Sequence, residues 1–413
     1  NIGGPGSGIV SVSGVVASAS SGAGALTKDG ANSNYLYLSG DNTYTGNTVV
    51  SSGVLNIQHA NALGTTAGAT SISSGAALEI QGGITLANES ISVSSTGISS
   101  TTGGIRSISG VNTIPGIVTI AGASRMNVDQ DALTLNNATS ALILNSTNII
   151  GGAGDVNIPG KITGATYTNT LSKDGLGTLT LSNSNNDYAG QTIITAGMVK
   201  INNPNSLGSS TSATQNNTLI SGTGTVYLDG NAQNFAEAFS ISGSGTTVGG
   251  VAQGAIRNPS GYNTLSGPIT LTGNASIVAT GAATTDSLLM TGNIATGTAT
   301  SSTNILTLDV SKGVRLTGVI SGTGGLTKLS GDTLLLYNSA ANTYSGITTI
   351  NDGVVRIKTT TAFGNASSTS TAQTIINGGT LLIDMSGFTL SEPFTIGSDG
   401  ITLAGVAQGA INT

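Results

Sequence analysis

A stretch of nearly forty residues occurs three times in this chain, and that repetition constrains the fold more than any single motif. The copies run from Leu26 to Gly64, from Leu171 to Gly208 and from Leu326 to Gly364. Their starts lie 145 and then 155 residues apart. Residues between the copies repeat as well. Glu89, Glu237 and Glu392 each precede apolar residues two and four places on, and Gly104-Ile-Arg106 with Asn112 returns as Ala255-Ile-Arg257 with Asn263. The unit of repetition is therefore a period of about 150 residues, with core repeats 26–64, 171–208 and 326–364. Repetition on this scale implies units stacked along one axis, each unable to bury its own apolar face.

Inside each copy the hydrophobic period is two. In Tyr35-Leu-Tyr-Leu38 the leucines share one face and the tyrosines the other; Asn47-Thr-Val-Val50 and Val54-Leu-Asn-Ile57 follow as short strands beyond Gly, Asn and Ser corners. This is strand spacing. Seven prolines and the lack of a sustained helical period leave little room for helix, and Ala60–Leu63 allows one turn at most. Short one-sided strands between small polar corners predict an all-β parallel β-helix, one coil per turn of a solenoid. At roughly 20–25 residues per coil and a strand spacing of ~4.8 Å, the chain makes roughly 16–20 coils. It reads as one continuous β-helix segment, 1–413. The non-Met start and the end inside a repeated Gly405–Ile411 segment suggest an excerpt of a longer protein.

Composition narrows the function classes. Charged residues are 7% of the chain, against about 25% in an average domain, and the net charge is −6. Twelve scattered Lys and Arg make no nucleic-acid stripe. No apolar run spans a bilayer as a helix, so a membrane would be met only through a part of the protein not present here. With no cysteine, neither a disulfide nor a thiolate metal site is expected.

At this point the copies resemble a known family. Gly324-Gly-Leu-Thr-Lys328, Asp332–Leu336, Asn342-Thr-Tyr-Ser-Gly-Ile-Thr-Thr349, Gly353-Val-Val and Ala362-Phe-Gly364 are similar to the passenger-associated transport repeat (the autotransporter-associated β-strand repeat) of bacterial surface proteins. The second copy is nearly as close. The first departs at Asn32–Tyr35 and the third at Leu329-Ser330, where the others have Asp-Gly. The resemblance implies a right-handed β-helix in an autotransporter passenger, extracellular or on the outer-membrane surface of a Gram-negative-type bacterium. Such passengers serve as adhesins, enzymes, toxins or stalks.

Candidate chemistry is sparse. His59, the single histidine, falls in a corner and reads as an exposed loop residue. The repeated glutamates Glu89, Glu237 and Glu392 lie a period apart and cannot converge as the carboxylate pair of glycoside hydrolysis; with Glu79 they read as structural. Gly151-Gly-Ala-Gly-Asp155 approaches a calcium nonapeptide, but its Asp comes one residue early. Asp129 and Asp131 near Arg125 and Met126 are the closest approach to the acid-and-base cluster of a β-helical polysaccharide enzyme, and read as a solvated bend. Lys28, Lys173 and Lys328 recur at one position and read as charges that discourage edge pairing. Thr178-Leu-Thr180 and Thr270-Leu-Thr272 would suit an ice-binding ladder, but they are not on every coil. Sequons at Asn137, Asn145 and Asn274 follow from the Asn, Ser and Thr content. The expected sites are therefore catalytic none, cofactor none, metal none. The expected function is a non-catalytic structural or adhesive rod or fibre segment. Its expected partners are copies of itself, associated laterally or end to end, or a cell-surface or glycan receptor. A carbohydrate-active enzyme passenger, or a passive stalk that assists secretion, is the alternative.

Overall fold

The computed structural model describes residues 8–19, 22–31, 34–209, 217–297, 303–338, 340–364, 373–387, 389–403 and 406–413. Asn32 and Ser33 of the first-copy departure, and part of the terminal Gly405–Ile411 segment, lie outside them. Among the described residues every regular element is a strand. The strands form a parallel β-solenoid of about 16 turns, as the spacing predicts. The chain packs as two compact units. One comprises residues 1–193, 197–200 and 205–211; the other comprises 194–196, 201–204 and 212–413.

In the first unit, Leu26–Lys28, Thr48–Val50, Thr70–Ile72, Ile91–Val93, Val118–Ile120, Leu142–Leu144 and Ile162–Thr163 make one parallel ladder. Leu26 stands opposite Thr48 and Thr48 opposite Thr70, 22 residues apart each time. A second ladder runs through Tyr35–Leu38, Gly53–Ile57, Ala76–Gln81, Ile105–Ser109 and Ser124–Val128. In the second unit, Leu326–Leu329, Thr348–Ile350, Thr374–Ile376 and Phe394–Ile396 form one ladder. Thr333–Leu336, Val354–Ile357 and Thr380–Ile383 belong to another. Each core repeat therefore supplies two coils. The same backbone bond closes all three copies: the amide of Leu26, Leu171 and Leu326 donates at 3.0 Å to the carbonyl of Asn47, Gln191 and Ile347 respectively.

Register decides the core. Side chains alternate across a strand, so parallel in-register pairing sets each inward residue on its counterpart one coil on. Leu36, Leu55 and Leu78 form one such stack, and Leu38, Ile57 and Ile80 another. All six have no exposed surface. Each such side chain contributes about 1.5–3 kcal/mol when fully buried, and a one-residue slip would turn the whole stack outward.

Corners carry the backbone polarity that the ladders leave over. Asn42, Asn186 and Asn342 are buried at one repeat position. Their Oδ1 atoms accept from the amides of Val16, Ile162 and Ile320 at 2.8 Å. Their Nδ2 groups donate to the carbonyls of Ala62, Ser206 and Ala362 at 2.7, 2.9 and 2.7 Å. Each asparagine thus ties its own coil to the coil before and the coil after. Gly64, Gly208 and Gly364 sit at φ of 86°, 89° and 58°. A Cβ at Gly64 or Gly208 would lie 2.5 Å from the carbonyl oxygen of Tyr44 or Tyr188, so neither the angle nor the space admits a side chain.

Replacing Asn186 by Ala should lower stability by about 2–4 kcal/mol, because it strands a buried amide and a buried carbonyl. Replacing half-buried Asn183, whose bonds to the Pro159 carbonyl and the Asn185 amide lie at the solvent surface, should change it by about 1 kcal/mol or less. Urea denaturation of the two variants checks the difference.

Candidate functional site

Three inward polar devices recur with the repeats, and one outer-face ionic cluster does not. The first device corrects the reading of the lysines as edge guards. In Leu-x-Lys strands the lysine shares the inward face of the leucine, and Lys28, Lys173 and Lys328 are only 1%, 2% and 0% exposed. Lys28 Nζ donates to the carbonyls of Asp29 at 2.6 Å and Ser52 at 3.0 Å. Lys173 Nζ donates to the carbonyl of Gly175. Lys328 Nζ donates to those of Leu329 at 2.8 Å, Ser330, and Asp352 at 3.1 Å. Burial lowers all three ammonium groups, Lys173 and Lys328 to about 8. Nearby aspartates oppose that: Asp29 in the first copy, Asp174 and Asp155 in the second, Asp352, Asp332 and Asp309 in the third. The departure at Leu329-Ser330 is thus compensated. Asp352, Asp332 and Asp309 supply the negative charge, and Ser330 itself takes the left-handed conformation, φ 64°, that Gly30 takes in the first copy.

The second device is a buried tyrosine–threonine pair. Tyr44, Tyr188 and Tyr344 are core residues, 1–2% exposed. Their hydroxyls bond to the hydroxyls of Thr48, Thr192 and Thr348 at 2.6, 2.8 and 2.6 Å. Burial pushes the Tyr44 phenol up to about 12 and the Tyr344 phenol higher still.

The third device takes up the recurring glutamates. Thr70 Oγ1 donates to Glu89 Oε1 at 2.6 Å, Thr218 Oγ1 to Glu237 Oε1 at 2.7 Å, and Thr374 Oγ1 to Glu392 Oε1 at 2.8 Å. Glu89 and Glu237 are 3% exposed. Burial pushes both up to about 7 and raises Glu392 as well, with the threonine bond opposing it each time. Thr48 lies in register with Thr70, and Thr348 with Thr374. In the first and third copies, tyrosine, two threonines and glutamate therefore form one column inside the coils.

The outer-face cluster is the nearest arrangement to a catalytic group. Asn56, Glu79, Arg106 and Asn127 are successive register partners. Arg106 Nη1 meets Glu79 Oε1 at 3.0 Å and Nη2 meets Asp129 Oδ2 at 2.6 Å. Asn56 Nδ2 donates to Glu79 Oε2 at 3.1 Å, and Asn127 Nδ2 to Asp129 Oδ1 at 2.7 Å. Arg125 grips Asp174 bidentately at 2.7 and 3.0 Å. Asp129 is therefore an ion-pair partner and not a solvated bend. Asp131 stands apart at φ 59° and accepts the Gly110 amide at 2.7 Å. A general acid or base needs a carboxyl within reach of substrate and tuned near the working pH. Here both oxygens of Glu79 and of Asp129 already hold guanidinium or amide donors.

The remaining candidates take local roles. His59 is half-buried rather than exposed, and its Nδ1 accepts the Asn61 amide at 3.2 Å. Gly151 and Gly152 lie in a strand, and Asp155 Oδ1 accepts the Thr178 amide at 2.7 Å. Among the described residues no three carboxylate or imidazole groups gather at metal-ligand spacing. Thr180 stands against Asn157, and Thr270 between Ser240 and Ala295, so no threonine ladder forms there. Asn137 caps a turn, its Oδ1 accepting the Thr139 and Ser140 amides.

The raised carboxyls have a signed consequence. A glutamate whose folded pKa is about 7 and whose ordinary value is 4.5 binds its proton more tightly when folded. It adds stability below 4.5 that is lost as pH rises through 7. The urea midpoint should fall between pH 5 and pH 8, and Glu237→Gln, which keeps an acceptor for Thr218, should flatten that fall. An unchanged slope in the variant would refute the assignment.

Comparison with known proteins agrees with this geometry. Residues 26–57, 171–201 and 326–357 each match the passenger-associated-transport-repeat. No curated protein and no solved structure matches the chain. The matched segments begin at the strand that buries the lysine and end with the strand that pairs on the following coil. The chain is a β-solenoid in which three segments match the passenger-associated-transport-repeat, a combination that fits an autotransporter passenger.

Proposed function

We propose that this chain is a non-catalytic segment of an extracellular or outer-membrane-surface protein of a Gram-negative-type bacterium. In this reading the solenoid is a structural scaffold that presents adhesive contacts and associates with copies of itself. The observation that carries it is where the repeated polar residues point. Lysine, asparagine, tyrosine–threonine and glutamate–threonine recur because they bind corner carbonyls and amides or one another inside the coils. What recurs serves stacking. Low charge supports association, since 7% charged residues oppose contact between copies only weakly.

The grouping of Glu79, Arg106 and Asp129 on neighbouring coils favours a second reading, a carbohydrate-active enzyme. Its carboxylates would have to leave their ion pairs to act. Both readings meet in one comparison on cells. Deleting one full period, residues 171–325, from the displayed protein should leave export intact and reduce adhesion or cell–cell aggregation. Loss of export with unchanged adhesion per exported molecule would instead support a passive secretion aid. Depolymerisation of acidic or neutral polysaccharide that disappears in Glu79→Gln and Asp129→Asn would support the enzyme.

A further inference from the structure

The second unit carries a basic, aromatic depression that the repeats do not explain. On the ladder through Tyr262–Leu265, Ser287–Met290, Val314–Leu316, Thr333–Leu336 and Val354–Ile357, the register runs Leu289, Arg315, Leu335, Arg356 along the outer face. Leucine and arginine alternate, so the two arginines are rooted two strands apart, ~9.6 Å along the axis. A depression of about 290 Å³ runs along these strands, lined by Tyr262, Ser287, Leu289, Arg315, Thr333 and Arg356 among others.

Arg315 differs from the arginines of the first unit. Arg106 and Arg125 are each held by a carboxylate. Arg315 is exposed, and no ion pair holds it among the described residues. Its guanidinium lies over the ring of Tyr337, 5.6 Å from the centroid. Arg356 and Lys358 share the single carboxylate of Asp384. Of Arg315, Arg356 and Lys358, the last two pair with Asp384 and the first with no carboxylate among the described residues, in a chain whose net charge is −6. Tyr262 and Tyr337, 46% and 45% exposed, stand on either side of Arg315 along the ladder and add flat apolar surface.

We propose that Tyr262, Arg315 and Arg356, with the hydroxyls of Ser287 and Thr333, form a binding site for an acidic polysaccharide. A guanidinium binds carboxylate or sulfate through two parallel hydrogen bonds. The tyrosine ring accepts the apolar face of a pyranose, and the hydroxyls reach sugar hydroxyls. The alternation of arginine with leucine suits a polymer in which charged and uncharged ring faces alternate along the strand. The depression is open to solvent and follows the ladder, which fits a chain lying along the axis better than a small molecule held end-on. A nucleic acid would require more positive charge than three cations offset by Asp384.

This inference rests on the adhesive reading and names a ligand class for it. The test is binding of the full chain to immobilised polygalacturonate and to dextran sulfate, with neutral dextran as control. The wild type should bind both anionic polymers and not dextran. Arg315→Gln should weaken binding about tenfold, the loss of a charge-assisted pair, and Tyr262→Ala should weaken it too. Lys161→Gln, which removes a half-buried cation paired with Asp187 in the first unit, should leave binding unchanged. Two results would overturn the proposal: Arg315→Gln binding as tightly as wild type, or a single-stranded DNA oligonucleotide competing as well as polygalacturonate, which would reduce the site to charge attraction. Failure here with adhesion still dependent on residues 171–325 would remove the site and leave the adhesive reading standing.

Discussion

Everything in this molecule depends on each coil placing its side chains directly over the same positions of the coil before. Parallel pairing in register converts a one-dimensional repeat into a continuous core, because leucine then stacks on leucine without further instruction. The same constraint makes the interior hazardous for polarity, since an unpaired buried polar group repeats its cost wherever the period returns. The inward polar residues answer that hazard. Each buried asparagine satisfies one amide and one carbonyl on different coils. Each buried lysine gathers corner carbonyls that no strand can reach.

These devices also specify register. An aliphatic stack tolerates a slip of one full coil, since one leucine serves as well as another. A lysine that must meet the corner carbonyls of its own coil and, in the first and third copies, of the next does not. Nor does an asparagine that must meet an amide and a carbonyl on opposite sides. The tyrosine–threonine–threonine–glutamate column adds a further match, and burial raises its carboxyl and so disfavours an unpaired interior charge. Stability and specificity thus come from different residues: aliphatic side chains supply most of the burial, and a few polar ones select which coil meets which.

The strand class, the parallel stacking and the period were legible because apolar alternation and repetition are written into neighbouring residues. The burial of the lysines was legible too, since Leu26 and Lys28 are two apart on a strand and must share a face; reading lysine by its type rather than by its place put it outside. The glutamates' threonine partners were not legible. They lie 18 or 19 residues upstream, and that separation depends on the length of each coil. The Glu79–Arg106–Asp129 cluster was hidden for the same reason. Its members are 27 and 23 residues apart, and a corner excursion of unforeseeable length sits between strands. The two outer faces then part by local charge: in the first unit carboxylates close the arginines, and in the second Arg315 is left open.

The central claim, that like positions sit directly over one another one coil apart, is open to a direct chemical measurement. The chain has no cysteine, so an introduced pair reports only on itself. Thr327 and Thr349 are register partners on the outer face, and their separation by one strand spacing suits a disulfide. Thr327→Cys with Thr349→Cys should cross-link readily under mild oxidation. Thr327→Cys with Ile347→Cys, displaced by two residues, should not. Efficient cross-linking of the displaced pair, with none in the register pair, would contradict the account.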